Sequence, residues 1–198
     1  KARLIANPGC YPTATLLALL PFIDYINTDN PIFIDAKSGV SGAGKNPSDT
    51  THYCQINDNV HAYNPFKHRH MPEIQEKVKI LKGKELAINF VPHLLPLTRG
   101  MLVSVFATLK EDIDVNKVLE DAYKDCEFVR LRNKPVDVKS VAGTNFCDLF
   151  VTKNGNALFV SSAIDNLLRG ASSQAVVNAN ILCGYEEYEG IPKIAYVP

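Results

Sequence analysis

At 198 residues the chain can bury a sizeable core, and its 46% hydrophobic and 21% charged content is ordinary for a globular protein. Lys plus Arg and Asp plus Glu each total 21, so the formal net charge is zero, with no electrostatic ground for a nucleic-acid or anionic-membrane partner. No apolar run is long enough to span a bilayer, since the longest, Ala14 to Ile23, is broken by Pro21.

Leu4 to Ala6 reads as a short strand entering the turn Asn7-Pro8-Gly9. Pro12 to Leu20 reads as a largely buried helix that Pro21 stops. Ile32 to Ala36 is the next strand and runs into a Gly-rich loop, Ser38 to Lys45, followed by a polar, irregular stretch from Asn46 to Tyr63. Pro72 to Leu81 opens on Pro-Glu and ends Lys-rich, which suits a helix and its dipole. Leu86–Val91 and Met101–Leu109 read as strands, and Asp114 as the cap of a helix from Val115 to Lys124. Glu127 to Arg132 alternates as a strand does. Phe146–Thr152 and Ala157–Ser162 flank an Asn154-Gly155 turn, a hairpin signal, and Asp165 starts a long small-residue helix to about Cys183. Strands in runs with helices between them predict an α+β fold, a sheet with helices on one face. No Gly-x-Gly-x-x-Gly follows a strand, so no dinucleotide-binding fold is recognisable. The chain opens without a Met or a signal-peptide pattern at Lys1, and it reads as a piece of a longer protein.

The five cysteines, Cys10, Cys54, Cys126, Cys147 and Cys183, are scattered without a Cys-x-x-Cys pair. That spacing argues against a disulfide framework or a structural zinc site and favours a reducing compartment. Cys10 stands apart because Asn7-Pro8-Gly9-Cys10-Tyr11-Pro12-Thr13 places it where a strand steps into a helix. The free N–H groups and positive dipole end there favour a thiolate and can hold an oxyanion. The alternative is a small buried hydrophobe, which is the reading for Cys54, Cys126 and Cys147. A cysteine enzyme needs a general acid/base, and Lys67-His68-Arg69-His70 crowds two imidazoles and a guanidinium before a helix. In an extended segment His68 and His70 share one side, so the residues alone do not choose between them. Zinc binding by this pair with a cysteine has no second Cys/His pair to support it.

Three segments, Asn-Pro-Gly-Cys-Tyr-Pro-Thr at 7–13, His-Arg-His-Met-Pro-Glu-Ile at 68–74 and Asp-Asn-Leu-Leu-Arg-Gly-Ala-Ser-Ser-Gln-Ala-Val at 165–176, together resemble the N-acetyl-gamma-glutamyl-phosphate reductase family. Ser38–Lys45 and Pro92–Gly100 match its pattern in the same order, so the resemblance covers nearly the whole chain. It implies a glyceraldehyde-3-phosphate dehydrogenase-like C-terminal domain, with residues 1–198 as the catalytic and dimerisation unit of a cytoplasmic dimer or tetramer. An N-terminal Rossmann domain would bind NADP, and the helix at about 165–183 would pack back on it. Asn166, Gly170 and Gln174 would approach the cofactor, although Ser172-Ser173 stands where the family often has Ala-Gly.

The resemblance further implies that Cys10 attacks an acyl phosphate, N-acetyl-glutamyl phosphate. Phosphate leaves, and NADPH reduces the thioester to the semialdehyde. His68 is the first candidate for the acid/base and His70 the second. Ser38, Gly39, Ser41 and Lys45 would hold the phosphate, Arg69 adds a cation, and Arg99 would pair with the substrate carboxylate. The rival readings are an aspartate-semialdehyde dehydrogenase-like enzyme, a Cys–His hydrolase, and a dimer-forming module idle in isolation.

Overall fold

The computed structural model describes residues 2–195, so Lys1 and 196–198 of the expected unit lie outside the described residues. Its centre is a seven-stranded mixed sheet in the order β2-β3-β1-β4-β7-β6-β5. The strands are β1 (Ile32–Gly39), β2 (His61–Ala62), β3 (Ile88–Leu95), β4 (Met101–Thr108), β5 (Val129–Leu131), β6 (Cys147–Asn154) and β7 (Ala157–Ile164). β1 runs parallel to β3 and antiparallel to β4, and the β6–β7 hairpin closes around Gly155 at φ +57, a conformation that favours glycine.

Period-two alternation sorts the strand residues onto two faces. Ile32, Ile34, Phe90, Val103, Val105, Leu149 and Val160 point to one face, and all are buried. Helices α1 (Cys10–Leu19), α3 (His70–Lys82) and α4 (Val115–Tyr123) supply Ala14, Ala18, Leu19, Ile74, Val78, Val115 and Leu119 to that same core. Each large side chain buried there contributes about 1.5–3 kcal/mol. On the other face the register aligns Phe33, Phe106 and Phe159 across β1, β4 and β7. Phe33 is 52% and Phe106 46% exposed, so this aromatic row faces outward. Among the described residues no helix is long and apolar enough to cross a membrane.

The α+β architecture and helices on one face agree with expectation, while several boundaries differ for physical reasons. Leu4 to Ala6 pairs with no strand, and Leu4 and Ile5 stand in the open. Helix α1 begins at Cys10 itself, and Pro21 falls in the first turn of a 3-10 extension, Leu20–Phe22, where its missing N–H has no bond to make. β3 runs on through Pro92 and His93, which the strand reading ended at Val91. The irregular stretch contains two helical turns, Asp49–Thr51 and α2 (Tyr53–Ile56), besides β2. The expected continuous helix from Asp165 is broken. Asp165 to Leu167 form a turn, Leu168–Ser172 a wide π-turn with Gly170 N and Ser172 N donating to Asp165 O and Leu167 O, and α5 (Ser173–Cys183) follows. Cys147 is a buried hydrophobe as expected, with burial pushing its thiol up to about 11, but Cys54 and Cys126 are exposed. Cys126 lies in the turn between α4 and β5.

Candidate active site

The turn before α1 sets the site. Gly9 is the N-cap and offers no side chain, so the first-turn N–H groups are not capped from within. The N–H groups of Cys10 and Tyr11 are directed at the Cys10 sulfur and favour its thiolate, as the helix-terminus argument requires, and Arg69 adds to this. Burial is the larger effect, however, and with a contribution from Glu73 it leaves the Cys10 thiol above its ordinary value. The resting group is therefore a thiol, where the sequence reading expected a thiolate, and it needs a base.

α3 brings that base. The chain does not run extended through Lys67-His68-Arg69-His70. It turns, and His70 becomes the first residue of α3. His68 Nδ1 accepts the His70 N–H at 3.2 Å, capping the helix and bringing the ring centroids to 4.8 Å. The two imidazoles then occupy different places. His70 packs on Gly9 so closely that a Cβ there would lie 2.5 Å from its Nε2, which puts His70 beside the cysteine turn. His68 sits behind it, 9% exposed, against the rings of Tyr11, Tyr63 and Phe90. Both pKa values fall to about 4, from burial first and then from the neighbouring cationic charges, Arg69 for His70 and His70 and Arg69 for His68. At neutral pH both rings are uncharged.

Two phenols and a carboxylate complete this side, none of them given a role by the sequence. Tyr63 donates to Tyr11 at 3.1 Å, and burial raises both phenol pKa values so that neither ionises near neutrality. Gly9 N donates to Glu73 Oε1 at 3.0 Å. Tyr63 was hidden in a polar stretch without periodicity, whereas Glu73, three residues after His70, is visible once the helix start is known.

The opposite wall comes from β1, the β3–β4 connection and the turn after β7. Of the expected phosphate loop, Ser38 and Gly39 belong to β1, and Val40–Ala43 form a 3-10 turn. The N–H groups of Gly39, Val40 and Ser41 donate to Gly100 O, Leu97 O and Thr98 O. They are engaged by the chain itself and are not presented to an anion. A Cβ on Gly39 would lie 2.7 Å from Leu97 O, so glycine serves a close backbone approach there. Ser38 is buried beside Tyr11, and Lys45 is exposed, outside the lining of the cleft. Arg99, expected to meet a substrate carboxylate, meets Asp165 instead, with Nε and Nη2 each 3.1 Å from a carboxylate oxygen. Asp165 is fully buried and also accepts from Gly143 N, Leu167 N and Leu168 N, which fixes the turn into the π-segment.

The three residues expected near a cofactor fare differently. Asn166 accepts Gly100 N at 2.7 Å and donates to Ser41 at 3.0 Å, so both ends of its amide are used inside the chain. Gln174 donates to Asn178 along α5. Gly170 faces Cys10: a Cβ there would lie 2.7 Å from its Cβ and 3.2 Å from its Cα.

Beside these groups opens a cleft of about 570 Å³ lined by Gly42, Ala43, Thr50, His61, Tyr63, Asn64, Lys67, His68, Arg69 and Leu94. Its cations, Lys67 and Arg69, suit an anionic ligand. A groove beside Asp112, Asn116 and Lys153 lies at the hairpin end of the sheet and has no imidazole or thiol in its lining. A half-buried thiol on a helix N-terminus, a neutral imidazole on its turn and a cationic cleft can together perform covalent acyl transfer.

Comparison with known proteins shows the family of the chain. The family model "Semialdehyde dehydrogenase, dimerisation domain" matches residues 10–166. The chain is 64% identical over all its 198 residues to N-acetyl-gamma-glutamyl-phosphate reductase of Sulfurovum sp. (strain NBC37-1), covering 59% of that protein. It is 58% identical to the protein of that name from Wolinella succinogenes, again over the whole chain and 59% of the relative. From Methanococcus maripaludis (strain C5) the figure is 46%, with 96% of this chain and 57% of the relative covered. The chain thus spans about three fifths of the length of these relatives. Two solved structures share the fold. Aspartate semialdehyde dehydrogenase II of Vibrio cholerae, complexed with ASA, superposes with a TM-score of 0.71 at 19% identity, over 91% of this chain and 62% of that one. A probable aspartate-semialdehyde dehydrogenase from Pseudomonas aeruginosa gives 0.72 at 17%, over 92% and 64%.

Proposed function

From the premise that this chain belongs to the semialdehyde dehydrogenase dimerisation-domain family, we propose that it is the catalytic part of an N-acetyl-gamma-glutamyl-phosphate reductase of arginine biosynthesis. The observation that supports this most is the convergence on Cys10: His70 lies against Gly9, and Gly170 against the Cys10 Cβ. The relatives carrying that name at 46–64% identity favour the N-acetylglutamyl substrate. The aspartate-semialdehyde alternative has fold likeness at 17–19% identity behind it.

The thiol is neutral at rest and the adjacent His70 is an uncharged base, so His70 takes the proton as sulfur attacks the acyl carbon. The geometry thus favours His70 over His68, whose Nδ1 is already an acceptor for the helix. The C–S bond forms, the C–O bond to phosphate breaks, and a thioester on Cys10 remains. The N–H groups of Cys10 and Tyr11 hold the oxyanion that passes between these states. Arg69, with Lys67, attracts the phosphate; Ser38, Gly39 and Ser41 lie outside the lining of this cleft, and the N–H groups of Gly39 and Ser41 are engaged within the chain. Arg99 acts through Asp165, as a clamp on the turn that carries Gly170.

When bound, NADPH supplies the hydride that turns the thioester into an aldehyde. Of the residues expected to meet it, Gly170 lies against Cys10 at an approach that only glycine permits; the Asn166 amide and the Gln174 side-chain N–H are engaged within the chain. The outer side of α5, with Val176 and Ile181 exposed near Ile5, suits contact with an N-terminal nucleotide-binding domain. The exposed Phe33 and Phe106 suit a second copy of the sheet, giving a homo-oligomer, and the cytoplasm is the compartment expected for a free-thiol enzyme.

The test uses the full-length protein in reverse, with N-acetylglutamate semialdehyde and NADP, with and without phosphate. Phosphate-dependent NADPH formation that Cys10→Ala abolishes supports the reading. Activity that ignores phosphate, or that survives Cys10→Ala, sinks it. Residues 1–198 alone should form no NADPH.

A further inference from the structure

Helix α1 has no side-chain cap from its own N-cap residue, because that residue is Gly9. The anchor comes from another element. Glu73, half-buried, reaches from the first turns of α3 to the Gly9 N–H, 3.0 Å away. Glu73 and His70 are three residues apart and therefore share one face of α3. That face meets Gly9 twice: the imidazole lies against its Cα, and the carboxylate holds its N–H.

We propose that Glu73 is a positioning residue for Cys10, tying the cysteine turn to the helix that carries His70 so that thiol and base keep one separation. The assignment rests on the reading of Cys10 as nucleophile and His70 as its base. A neutral carbonyl oxygen could also accept the Gly9 N–H, though more weakly than a carboxylate, and the charge has a separate consequence. It opposes ionisation of Cys10, working against the N–H groups of α1 and against Arg69. The Glu73 charge thus adds to the burial that keeps the sulfur protonated until His70 removes the proton in contact with substrate.

Two substitutions in the full-length protein separate anchoring from charge. Glu73→Gln keeps a carbonyl oxygen for Gly9 and removes the charge, whereas Glu73→Ala removes both. Two quantities are read on each: the pH midpoint of iodoacetamide alkylation at the Cys10 peptide, and kcat and KM of the reductase reaction. Both variants should shift the alkylation midpoint to lower pH. Only Glu73→Ala should lower kcat, by about tenfold or more with little change in KM, as loss of alignment does, and Gln should restore most of it. An unmoved midpoint in both variants, or equal loss of kcat in Ala and Gln, overturns the proposal. Because alkylation reads Cys10 without turnover, a failure of the nucleophile reading would show separately, as activity that survives Cys10→Ala.

Discussion

Gly170→Ala adds one methyl group at the point where the π-turn touches the nucleophile, and the structure sets its effect. Carbon atoms in contact sit about 3.5–4.0 Å apart. The new carbon would lie 2.7 Å from Cys10 Cβ and 3.2 Å from Cys10 Cα, an overlap of about 1 Å with atoms that cannot swing away. Gly170 has no positive φ to forbid alanine, so reduced freedom of the unfolded chain favours the variant by about 0.4–1 kcal/mol. Overpacking costs about 1–3 kcal/mol, and the net loss should be about 1–2 kcal/mol. For a chain of this size that lowers Tm by roughly 2–8 °C. Displacing the sulfur by about 1 Å should cost kcat on the order of a hundredfold, far more than the stability loss suggests. Differential scanning calorimetry and steady-state kinetics on the full-length protein read the two effects. Gly83→Ala is the control: at φ +66 with open space around it, it should lower Tm and leave kcat alone. If Gly170→Ala keeps kcat within about twofold of the parent, the contact does not position the nucleophile and the argument fails.

Three further outcomes are expected. His68 and His70 titrate at about 4 in the folded chain against an ordinary 6.5, so the unfolded chain takes up protons first as pH falls. Their contribution to stability is complete above about pH 6.5 and is lost toward pH 4, and the urea midpoint should fall over that window less in the His68→Gln/His70→Gln double variant than in the parent. Equal slopes would refute the assignment. Arg99→Leu leaves the fully buried Asp165 without its cation and should cost about 3–5 kcal/mol by urea denaturation. A variant of parental stability with only a raised KM would restore Arg99 as a substrate ligand. Phe106→Glu puts a charge into the exposed aromatic row and should shift sedimentation velocity toward the monomer; an unchanged assembly would place the interface elsewhere.

Long, patterned elements were legible from the residues. β1, β4 and the β6–β7 hairpin follow period-two burial and an Asn-Gly turn, and Asp114 does cap α4 through the N–H groups of Asn116 and Lys117. The start of α1 was legible as well to within two residues, since Gly9-Cys10-Tyr11-Pro12 marks a helix start. Contacts between distant segments were not. Nothing local shows that Arg99 is spent on Asp165, 66 residues away, or that the N–H groups of the Gly-rich turn close onto residues 97–100. The π-turn was also invisible, because the small residues of Leu168–Ser172 suit an ordinary helix. Its wider turn is imposed by the contact with Cys10 and by the Asp165 cap.

The meeting of Gly170 with Cys10 joins opposite ends of the chain, with every strand of the sheet encoded between them. Contacts of such long sequence separation form late, after the nearer pairings have shortened the loop that must be closed. The contact of Gly170 with Cys10 is therefore expected among the last to form during folding. Until then the thiol lacks the π-turn on one side, and the fall in its alkylation rate during refolding serves as a clock for that closure.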